Sequence, residues 1–412
     1  MGIDRSGFSP RVQQKIVYAG VNNNSYQQAS RDLAELSDLD VKPKPVERLV
    51  RKIGRERIEQ RDAATAMHQR LPLMNKDTVA DPKRPSPSVA MVSMDGGRMQ
   101  IRRGPSQPKQ EGHWRESKVA VLETYQSVVH GTDPDPDVPR CFFDLKRTRE
   151  MVRGLGHALP IGLEFEDEAR TSKPDDAAAP RRDRPSRPGR PEPLVRSILA
   201  SRKCSEDFGP MVHQAAWERN FFGAKRRAFL GDGQAVNWTI RRRHFASFTP
   251  ILDFVHALSY VFAAAFAGRS LADGKEVYQR WIQAVWSGRV TTIFVELEAH
   301  CAALGSPPAE CVDSDPRKLV FESLRYLKNN ADLMRYDAYR RHGLPIMTSA
   351  VESVIKMINR RVKGSEKFWS EPGAEAILQL RADYLSETEP MSRFWLERQA
   401  QTQSYRPYRR VA

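Results

Sequence analysis

The sequence predicts an α/β protein. Apolar runs of strand length, followed by turn residues, occur at three places in the chain: SVAMVSM (88–94), AFLGDG (228–233) and FTPILDF (248–254). Helical spacing of apolar residues occurs in the first eighty residues, between residues 268 and 340, and again after GLPIM (343–347). Because both kinds of segment recur along the 412 residues, neither an all-helical nor an all-strand protein is expected.

The chain carries an excess of positive charge, with 66 Lys and Arg residues against 51 Asp and Glu residues and a formal net charge of +15. Such an excess suits a polyanionic partner, and nucleic acid is the first candidate and a membrane surface the second. No apolar stretch is long enough to cross a bilayer, and the amino terminus lacks the apolar core of a secretory signal, so an intracellular, soluble protein is expected. The four cysteines form no CxxC pair, so no zinc module or disulfide framework is indicated.

The first eighty residues predict a helical DNA-binding domain. Two helices with apolar stripes are predicted around 26–36 and 46–53, joined by the loop DVKPKP (40–45), as in a helix-turn-helix. Basic residues lie away from the apolar stripe of the second helix: Arg48, Arg51, Lys52 and Arg55. A helix that enters a DNA groove shows such a face, but an ordinary solvated helix does so too, and the pattern leaves both interpretations open.

Residues 88–125 predict three consecutive strands, with DGG (95–97) as the first hairpin turn, and a helix follows at 141–159. Residues 171–197 contain six prolines and almost no apolar residues, so the segment 166–200 is expected to be a disordered insertion or linker. GDGQAVNW (231–238) is expected to continue its strand through a turn into another strand.

Three carboxylates stand out by their context. Asp95 and Asp232 each follow an apolar run and precede a glycine, and Glu352 lies near the start of a predicted helix. A carboxylate fixed at the end of a strand suits a metal ion, although Asp-Gly also begins tight turns. Lys356 and Lys363 share the helix face of Glu352, which suits a metal ligand beside cations that neutralise phosphates. An exposed Glu-Lys pair without function is the alternative.

The order of Asp95, Asp232 and Glu352, with a helical stretch before the glutamate, resembles the DDE transposases of bacterial insertion sequences. Several segments resemble the ISKra-type family, which is distantly related to the Mutator-like group: GDGQAVNW, ILDFVH, GLPIMTSAVESVIK and RRVKGSEKFWSEPGAEAILQLRADYLS. The resemblance covers about residues 5 to 400, apart from the proline-rich insertion. Residues 347–350, Met-Thr-Ser-Ala, depart from the Gly-Ser-Gly-like turn that is common in this family.

This resemblance implies a ribonuclease H-like mixed sheet flanked by helices, with a helical insertion before the catalytic Glu352. Asp95, Asp232 and Glu352 would be the catalytic residues and would hold two Mg²⁺ or Mn²⁺ ions, one activating water or a 3′ hydroxyl and the other stabilising the leaving oxygen. The implied division of the chain is a DNA-binding domain at 1–80, catalytic segments at 86–165, 201–267 and 341–400, the insertions at 166–200 and 268–340, and a basic tail at 401–412.

Further residues take roles through the same resemblance. Asp253 and His256 match an Asp-x-x-His pattern of Mutator-like enzymes and are expected to support the site, with a structural histidine as the alternative. Trp369 is expected to stack on a DNA base, with core packing as the alternative. The DNA-binding residues expected after Glu352 are Lys356, Arg360, Arg361, Lys363 and Trp369. Expected partners are insertion-sequence ends and target DNA, bound by a homo-oligomer in the nucleoid-associated cytoplasm, without a membrane.

Two other functions stay open. A DNA-binding protein without catalysis, such as a domesticated or decayed transposase, needs only the basic charge and the helix-turn-helix. Another metal-dependent nuclease on the same fold differs only in that it does not join strands. Metal-dependent DNA cleavage separates the first alternative from a transposase, and strand joining separates the second.

Overall fold

One long strand, β1 (Val89–Ile101), lies in the middle of the sheet. The structure is a computed structural model that describes residues 7–102, 113–160, 189–347 and 349–404. The described strands form one six-stranded sheet in the order β3-β2-β1-β4-β5, with β6 paired to the end of β1. The other strands are β2 (Trp114–Gln126), β3 (Glu192–Ser201), β4 (Arg226–Gly231), β5 (Thr249–Leu252) and β6 (Phe368–Trp369).

The sheet is mixed. β2 is antiparallel to both β1 and β3, whereas β4 is parallel to both β1 and β5, and β6 is parallel to β1. Helices flank this sheet on both faces, which confirms the predicted α/β class. The α-helices of the described residues are α1 (Pro10–Asn22), α2 (Tyr26–Ser37), α3 (Pro43–Gln69), α4 (Leu73–Lys76), α5 (Leu145–Gly154), α6 (Ser205–Glu218), α7 (Ala235–His244), α8 (Phe254–Phe266), α9 (Leu271–Trp286), α10 (Phe294–Leu304), α11 (Pro316–Asn329), α12 (Tyr336–Arg341), α13 (Ser349–Val362), α14 (Glu371–Leu385) and α15 (Pro390–Ser404).

Alternate residues of β1 face different layers, because successive side chains of a strand point to opposite faces. Val89 and Met91 belong to the core that contains α8, and Met99, on the same face, belongs to the core that contains α13 and α14. Val92 and Met94 face the other way and share a core with α6 and α7. β1 therefore connects three apolar cores.

The predicted amino-terminal helices are present as α1 to α3, but they do not have a core of their own. Val17 and Val50 lie in the same buried cluster as Met99 of β1 and Val354 of α13. α3 packs against α14 so closely that a Cβ atom at Gly54 would lie 2.6 Å from the Ala376 Cβ. The region 1–80 is therefore packed onto the sheet domain, and residue 80 is not a boundary between cores.

The predicted hairpin turn at DGG is wrong. β1 continues through Asp95, Gly96 and Gly97, and each of these residues pairs with β2. A Cβ atom at Gly97 would lie 3.0 Å from Ser117 Oγ and 4.0 Å from Asn359 Oδ1. This glycine therefore allows β2 and α13 to approach β1 closely, and it does not form a turn.

Two other sequence predictions are corrected. Residues 235–238 of GDGQAVNW begin helix α7 and not a strand, because the chain turns at Gly233, which has a φ of 94°. The proline-rich insertion lies mostly at 161–188, outside the described residues, but its predicted end at 200 is wrong because β3 begins at Glu192. The predicted tail at 401 also begins too early, since α15 continues to Ser404.

The predicted helical stretch 268–340 contains α9 to α12, and tyrosines attach it to the sheet. The Tyr336 hydroxyl donates to the Leu252 carbonyl at 3.0 Å, at the end of β5, and the Tyr326 hydroxyl donates to the Asp232 carbonyl at 2.6 Å, just after β4. These bonds fix the helical layer against the carboxyl ends of two parallel strands. None of the described helices has the length and apolar character that a membrane crossing requires.

Replacement of Gly54 by Ala tests the packing of the amino-terminal helices on the sheet domain. The added methyl group would overlap Ala376, and we expect the free energy of unfolding to fall by about 1–3 kcal/mol. The overlap outweighs the gain of about 1 kcal/mol in helix propensity. Urea denaturation measures the difference.

Gly154→Ala is the matched control, because a Cβ atom at this last residue of α5 meets no described atom within 4 Å. We expect its stability to equal or slightly exceed that of the wild type. Equal stabilities of the Gly54→Ala and Gly154→Ala variants would contradict the close packing of α3 on α14.

Candidate active site

Three aspartates lie level with one another at the ends of parallel strand pairing. The pairing of β1 with β4 ends at Ser93 and Leu230, and Asp95 and Asp232 each lie two residues further along. The pairing of β4 with β5 ends at Gly231 and Leu252, and Asp253 directly follows. Asp95 has the same strand parity as Ser93, so its side chain lies on the face of β1 that bears α8 and α13.

The Asp232 carboxylate is held from one side. Its Oδ1 accepts a hydrogen bond from the Gln234 backbone N–H at 3.0 Å and another from Asn237 Nδ2 at 2.9 Å. Its carbonyl accepts the bond from Tyr326 described above. The Oδ2 atom accepts no hydrogen bond from the described residues, so one oxygen is fixed and the other is available to a ligand.

Asp95 is a largely buried carboxyl that feels the negative charges of two other aspartates, Asp232 and Asp253. Burial raises the pKa of this carboxyl to about 6, and the negative charges of Asp232 and Asp253 act in the same direction. The Gly96 N–H, which donates to Asp95 Oδ1 at 2.6 Å, and the His256 imidazole lower the pKa. The raised value shows that the ionised carboxyl is incompletely compensated by protein groups, a condition typical of functional sites and of sites that bind cations.

Asp253 and His256 both act electrostatically on Asp95, and their supporting role stays a prediction. Asp253 is buried and caps α8, because its Oδ1 accepts a hydrogen bond from the Val255 N–H at 2.7 Å. His256 is half-buried, and its ring centroid lies 5.8 Å from that of His157. Burial lowers the pKa of His157 to about 4, and the neighbouring His256 acts in the same direction. Two imidazoles therefore lie beside the carboxylates.

The backbone of Glu352 lies in the first turn of α13, and its side chain lies outside the described residues. Two contacts fix the path of this segment. The Phe254 N–H donates to the Ile346 carbonyl at 3.0 Å, next to Asp253, and Asn359 approaches Gly97 of β1. The turn that carries Glu352 lies in the chain between these contacts, on the face of β1 that bears Asp95.

The described residues contain only part of the predicted metal-ligand set. Among the residues whose side chains are described, no group of three or more His, Cys, Asp or Glu residues has an arrangement that could hold a metal ion. Asp95 and Asp232 provide two carboxylates, and the predicted third ligand is Glu352. Carboxylate oxygens are the ligands that Mg²⁺ and Mn²⁺ prefer, so the two described groups fit such an ion.

Basic side chains continue along α13 beyond Glu352. Lys356, Arg360 and Lys363 are exposed, and the Lys363 ammonium lies 5.4 Å from the centre of the Trp114 ring. Their spacing of three and four residues places them on neighbouring positions of one helical surface. These three side chains are exposed, and their contact with DNA stays a prediction.

Arg361 is buried and does not lie on the exposed DNA-binding face that the sequence predicts. It is 3% exposed, and its guanidinium donates to the Gly20 carbonyl from Nε at 3.2 Å and from Nη2 at 3.1 Å. The same group lies over the rings of Tyr26 and Trp369. Arg361 therefore attaches α1 and α2 to α13 and does not face DNA.

Trp369 also has a structural position. It lies in β6, its indole N–H donates to the Val362 carbonyl at 2.9 Å, and its ring is covered by Arg361 on one side and faces Tyr26 at 6.5 Å. Core packing, which the sequence left open as the alternative, describes this residue. Trp369 is half-buried, so these contacts favour core packing, and stacking on a DNA base stays a prediction.

The predicted recognition helix, α3, is partly covered. Arg48, Lys52 and Arg55 are exposed, whereas Arg51 is half-buried and donates to Glu47 and to Ser370. The exposed residues lie on the part of α3 that is opposite its apolar stripe. They provide a basic surface, and the entry of this helix into a DNA groove stays a prediction.

Comparison of the chain with known protein families gives no match, and comparison with curated proteins gives no significant similarity. The site is therefore interpreted from its own geometry.

Four residues that contact groups of this site are not predicted by the sequence pattern: His157, Asn237, Tyr260 and Tyr326. Asn237 contacts Asp232 because α7 begins just after the Asp232 turn. The sequence pattern predicts a strand for this segment, and a strand would not bring these two side chains together. Tyr326 lies 94 residues beyond Asp232 in a different layer, and no local signal connects the two.

The raised pKa of Asp95 makes the stability of the protein depend on pH. The unfolded carboxyl ionises near pH 3.9, so the folded state is penalised as the pH rises from about 4 through about 6. In buffer with a metal chelator, we expect Asp95→Asn to be about 2 kcal/mol more stable than the wild type at pH 7.5 and about 0.5 kcal/mol more stable at pH 4. Chemical denaturation at both pH values measures this difference.

Asp38→Asn is the control, because Asp38 is exposed at the end of α2 in a left-handed conformation that Asn adopts readily. We expect its stability to follow that of the wild type at both pH values. An Asp95→Asn variant that gains no stability at pH 7.5 would contradict the raised pKa that burial and the neighbouring carboxylates give Asp95.

Substitution of two adjacent arginines of α13 tests which one is structural, Arg361, and which one is a surface residue, Arg360. Arg361→Gln removes both guanidinium donors from the buried Gly20 carbonyl, and we expect it to lower the free energy of unfolding by about 2–3 kcal/mol. Arg360→Gln changes an exposed side chain, and we expect a change below about 0.5 kcal/mol. Urea denaturation of both variants is the measurement, and equal losses would show that the assignment of roles is wrong.

Proposed function

We propose that the protein is a DDE-type transposase that cleaves DNA at insertion-sequence ends and transfers the strands to target DNA. The observation that carries this proposal is the level position of Asp95 and Asp232 on adjacent parallel strands, with an elevated pKa at Asp95. Nothing in the apolar packing requires two carboxylates there, and their mutual repulsion costs stability in the absence of a cation.

The fold is compatible with this proposal. A five-strand order of 3-2-1-4-5, with three antiparallel strands followed by two parallel ones, supports the ribonuclease H-like arrangement that the sequence resemblance implies. The helical layer at 268–340 precedes α13, as expected for an insertion before the catalytic glutamate. The basic amino-terminal helices support a DNA-binding role for that part of the chain.

In this proposal Asp95, Asp232 and Glu352 hold Mg²⁺ or Mn²⁺. Two such ions would activate the attacking hydroxyl and stabilise the leaving oxygen of a phosphodiester. Asn237 and the Gln234 N–H orient the Asp232 carboxylate, and Tyr326 fixes the backbone that carries it. Asp253 holds the start of α8, so that His256 lies beside Asp95.

The surface beyond Glu352 would bind the substrate backbone. Lys356, Arg360 and Lys363 are exposed along α13 and would contact phosphates on the side of the site that leads away from Asp95. Strand transfer requires two insertion-sequence ends to be held together, so a homo-oligomer on nucleoid-associated DNA is part of the proposal.

A strand-transfer assay tests the proposed function. The DNA carries the sequences that flank the gene, and the protein is supplied with Mg²⁺ or Mn²⁺. We expect joined products from the wild type, and a loss of at least about 1,000-fold in Asp95→Asn, Asp232→Asn and Glu352→Gln, because each removes a charged metal ligand. Retention of DNA binding in these variants, measured by mobility shift, shows that the loss is chemical.

Asp337→Asn is the matched control, since Asp337 lies on α12, pairs with Arg341 and is not one of the proposed metal ligands. It should keep wild-type activity. Cleavage without joining would favour another metal-dependent nuclease, and DNA binding without cleavage in any protein would favour a non-catalytic, domesticated or decayed transposase. Either result would overturn the proposed transposase activity.

A further inference from the structure

A cavity of about 400 Å³ lies beside the loop that carries Asp232, between α7 and α11. Its volume falls within the usual range for small-molecule sites. The residues that line the cavity include three with charged side chains and two with aromatic rings: Gly233, Trp238, Arg242, Tyr260, Glu322 and Arg325. None of them belongs to the set of carboxylates and basic residues assigned to the proposed reaction.

The cavity adjoins the candidate active site through Gly233 and Tyr326. Gly233 follows Asp232 in the chain and lines the cavity, and the Tyr326 side chain, which is also part of the wall, donates to the Asp232 carbonyl at 2.6 Å. Gly233 has a φ of 94°, and a Cβ atom there would lie 2.7 Å from the Tyr326 ring. Glycine at this position therefore allows the loop that bears Asp232 to lie against the wall of the cavity.

The walls combine flat aromatic surfaces with polar groups. Tyr260 and Tyr326 stack with their ring centroids 3.7 Å apart, and Trp238 provides a third half-buried ring. Glu322 and Asn329 supply an acceptor carboxylate and an amide in the same cavity. Arg325 and Arg242 are exposed at its surface, where guanidinium groups can meet phosphates.

This combination suits a nucleobase with its attached phosphate. Aromatic rings stack on a base of any sequence, the Glu322 carboxylate can accept hydrogen bonds from the amino and imino groups of a base edge, and the arginines can bind the adjoining phosphates. A purely apolar ligand would leave the Glu322 carboxylate without a donor, and an anion alone would make no stacking contact. Tyr260 and Tyr326 already stack on each other, so Trp238 is the ring on which a base would stack.

We propose that this cavity holds one unstacked nucleotide of the DNA strand whose phosphodiester lies at Asp95 and Asp232. The proposal rests on the proposed function, since it assigns the DNA of that same site. Extrusion of one base would fix the register of the strand relative to the carboxylates. A free nucleotide has the same chemistry, and the experiment distinguishes it from a base within DNA.

The test uses the full-length chain and fluorescence of 2-aminopurine, which is quenched when the base stacks on an aromatic ring. The probes are a single-stranded 12-nucleotide DNA with one central 2-aminopurine, and the monophosphate of 2-aminopurine deoxynucleoside. Mg²⁺ is replaced by Ca²⁺ to slow cleavage. We expect saturable quenching of the DNA probe by the wild type, with much weaker binding of the monophosphate.

Two variants change the cavity at exposed positions. Asn329→Trp fills the cavity without removing a core residue, and Arg325→Ala removes a phosphate contact. We expect each variant to bind the DNA probe about 10-fold more weakly than the wild type. For Asn329→Trp we also expect less quenching at saturation. Arg289→Ala is the control, because Arg289 is an exposed arginine of the same helical layer and does not line the cavity.

The outcomes separate this proposal from the proposed function. Quenching that is lost in Asn329→Trp but kept in Arg289→Ala supports the cavity site, even if no DNA is cleaved by the wild type. Equal quenching in all variants, or none in the wild type, overturns the cavity site, even if strand transfer is observed. Tight binding of the monophosphate with no preference for DNA would assign the cavity to a free nucleotide and overturn the extruded-base proposal.

Discussion

The pairing register between β1 and β4 is the constraint on which the candidate site depends. Ser93 pairs with Leu230, so Asp95 and Asp232, each two residues further, lie level and next to each other. A slip of one residue in β1 would turn the Asp95 side chain to the opposite face of the sheet, away from α13. The apolar alternation of β1 opposes such a slip, because Val92 and Met94 would exchange places with Ser93 and Asp95. The buried core of the sheet therefore sets the position of the charged site.

The same constraint explains the glycines that follow Asp95 and the attachment of the helices. Gly97 leaves room for Asn359, so that α13 lies against β1 two residues beyond Asp95, and the Phe254–Ile346 hydrogen bond holds the segment before α13 next to β5. Arg361 then attaches the amino-terminal helices to α13 through the carbonyl of Gly20. The helix that bears Glu352 is thus supported at both ends by packing and hydrogen bonds.

Local pattern predicted much of this fold, and tertiary contacts account for what it missed. The apolar runs before Asp232 and Asp253, the helical layer at 268–340 and the apolar stripe of α13 were predicted from residues that are neighbours in sequence. The DGG segment has the composition of a turn, yet it stays extended because β2 pairs with every residue of it. Arg361 has the sequence context of a surface residue on a basic helix, but α1 and α2 cover it in the fold. The cavity beside Asp232 needs Tyr326, which only the folded chain brings there.

The most direct test of the metal-site hypothesis is a crystal structure of the protein grown with Mn²⁺ at pH 8, with anomalous diffraction measured to locate the ion. The account predicts anomalous density within about 2.5 Å of carboxylate oxygens of both Asp95 and Asp232, with the Glu352 carboxylate completing the coordination. Absence of density at these two aspartates, with Glu352 turned to solvent, would contradict it.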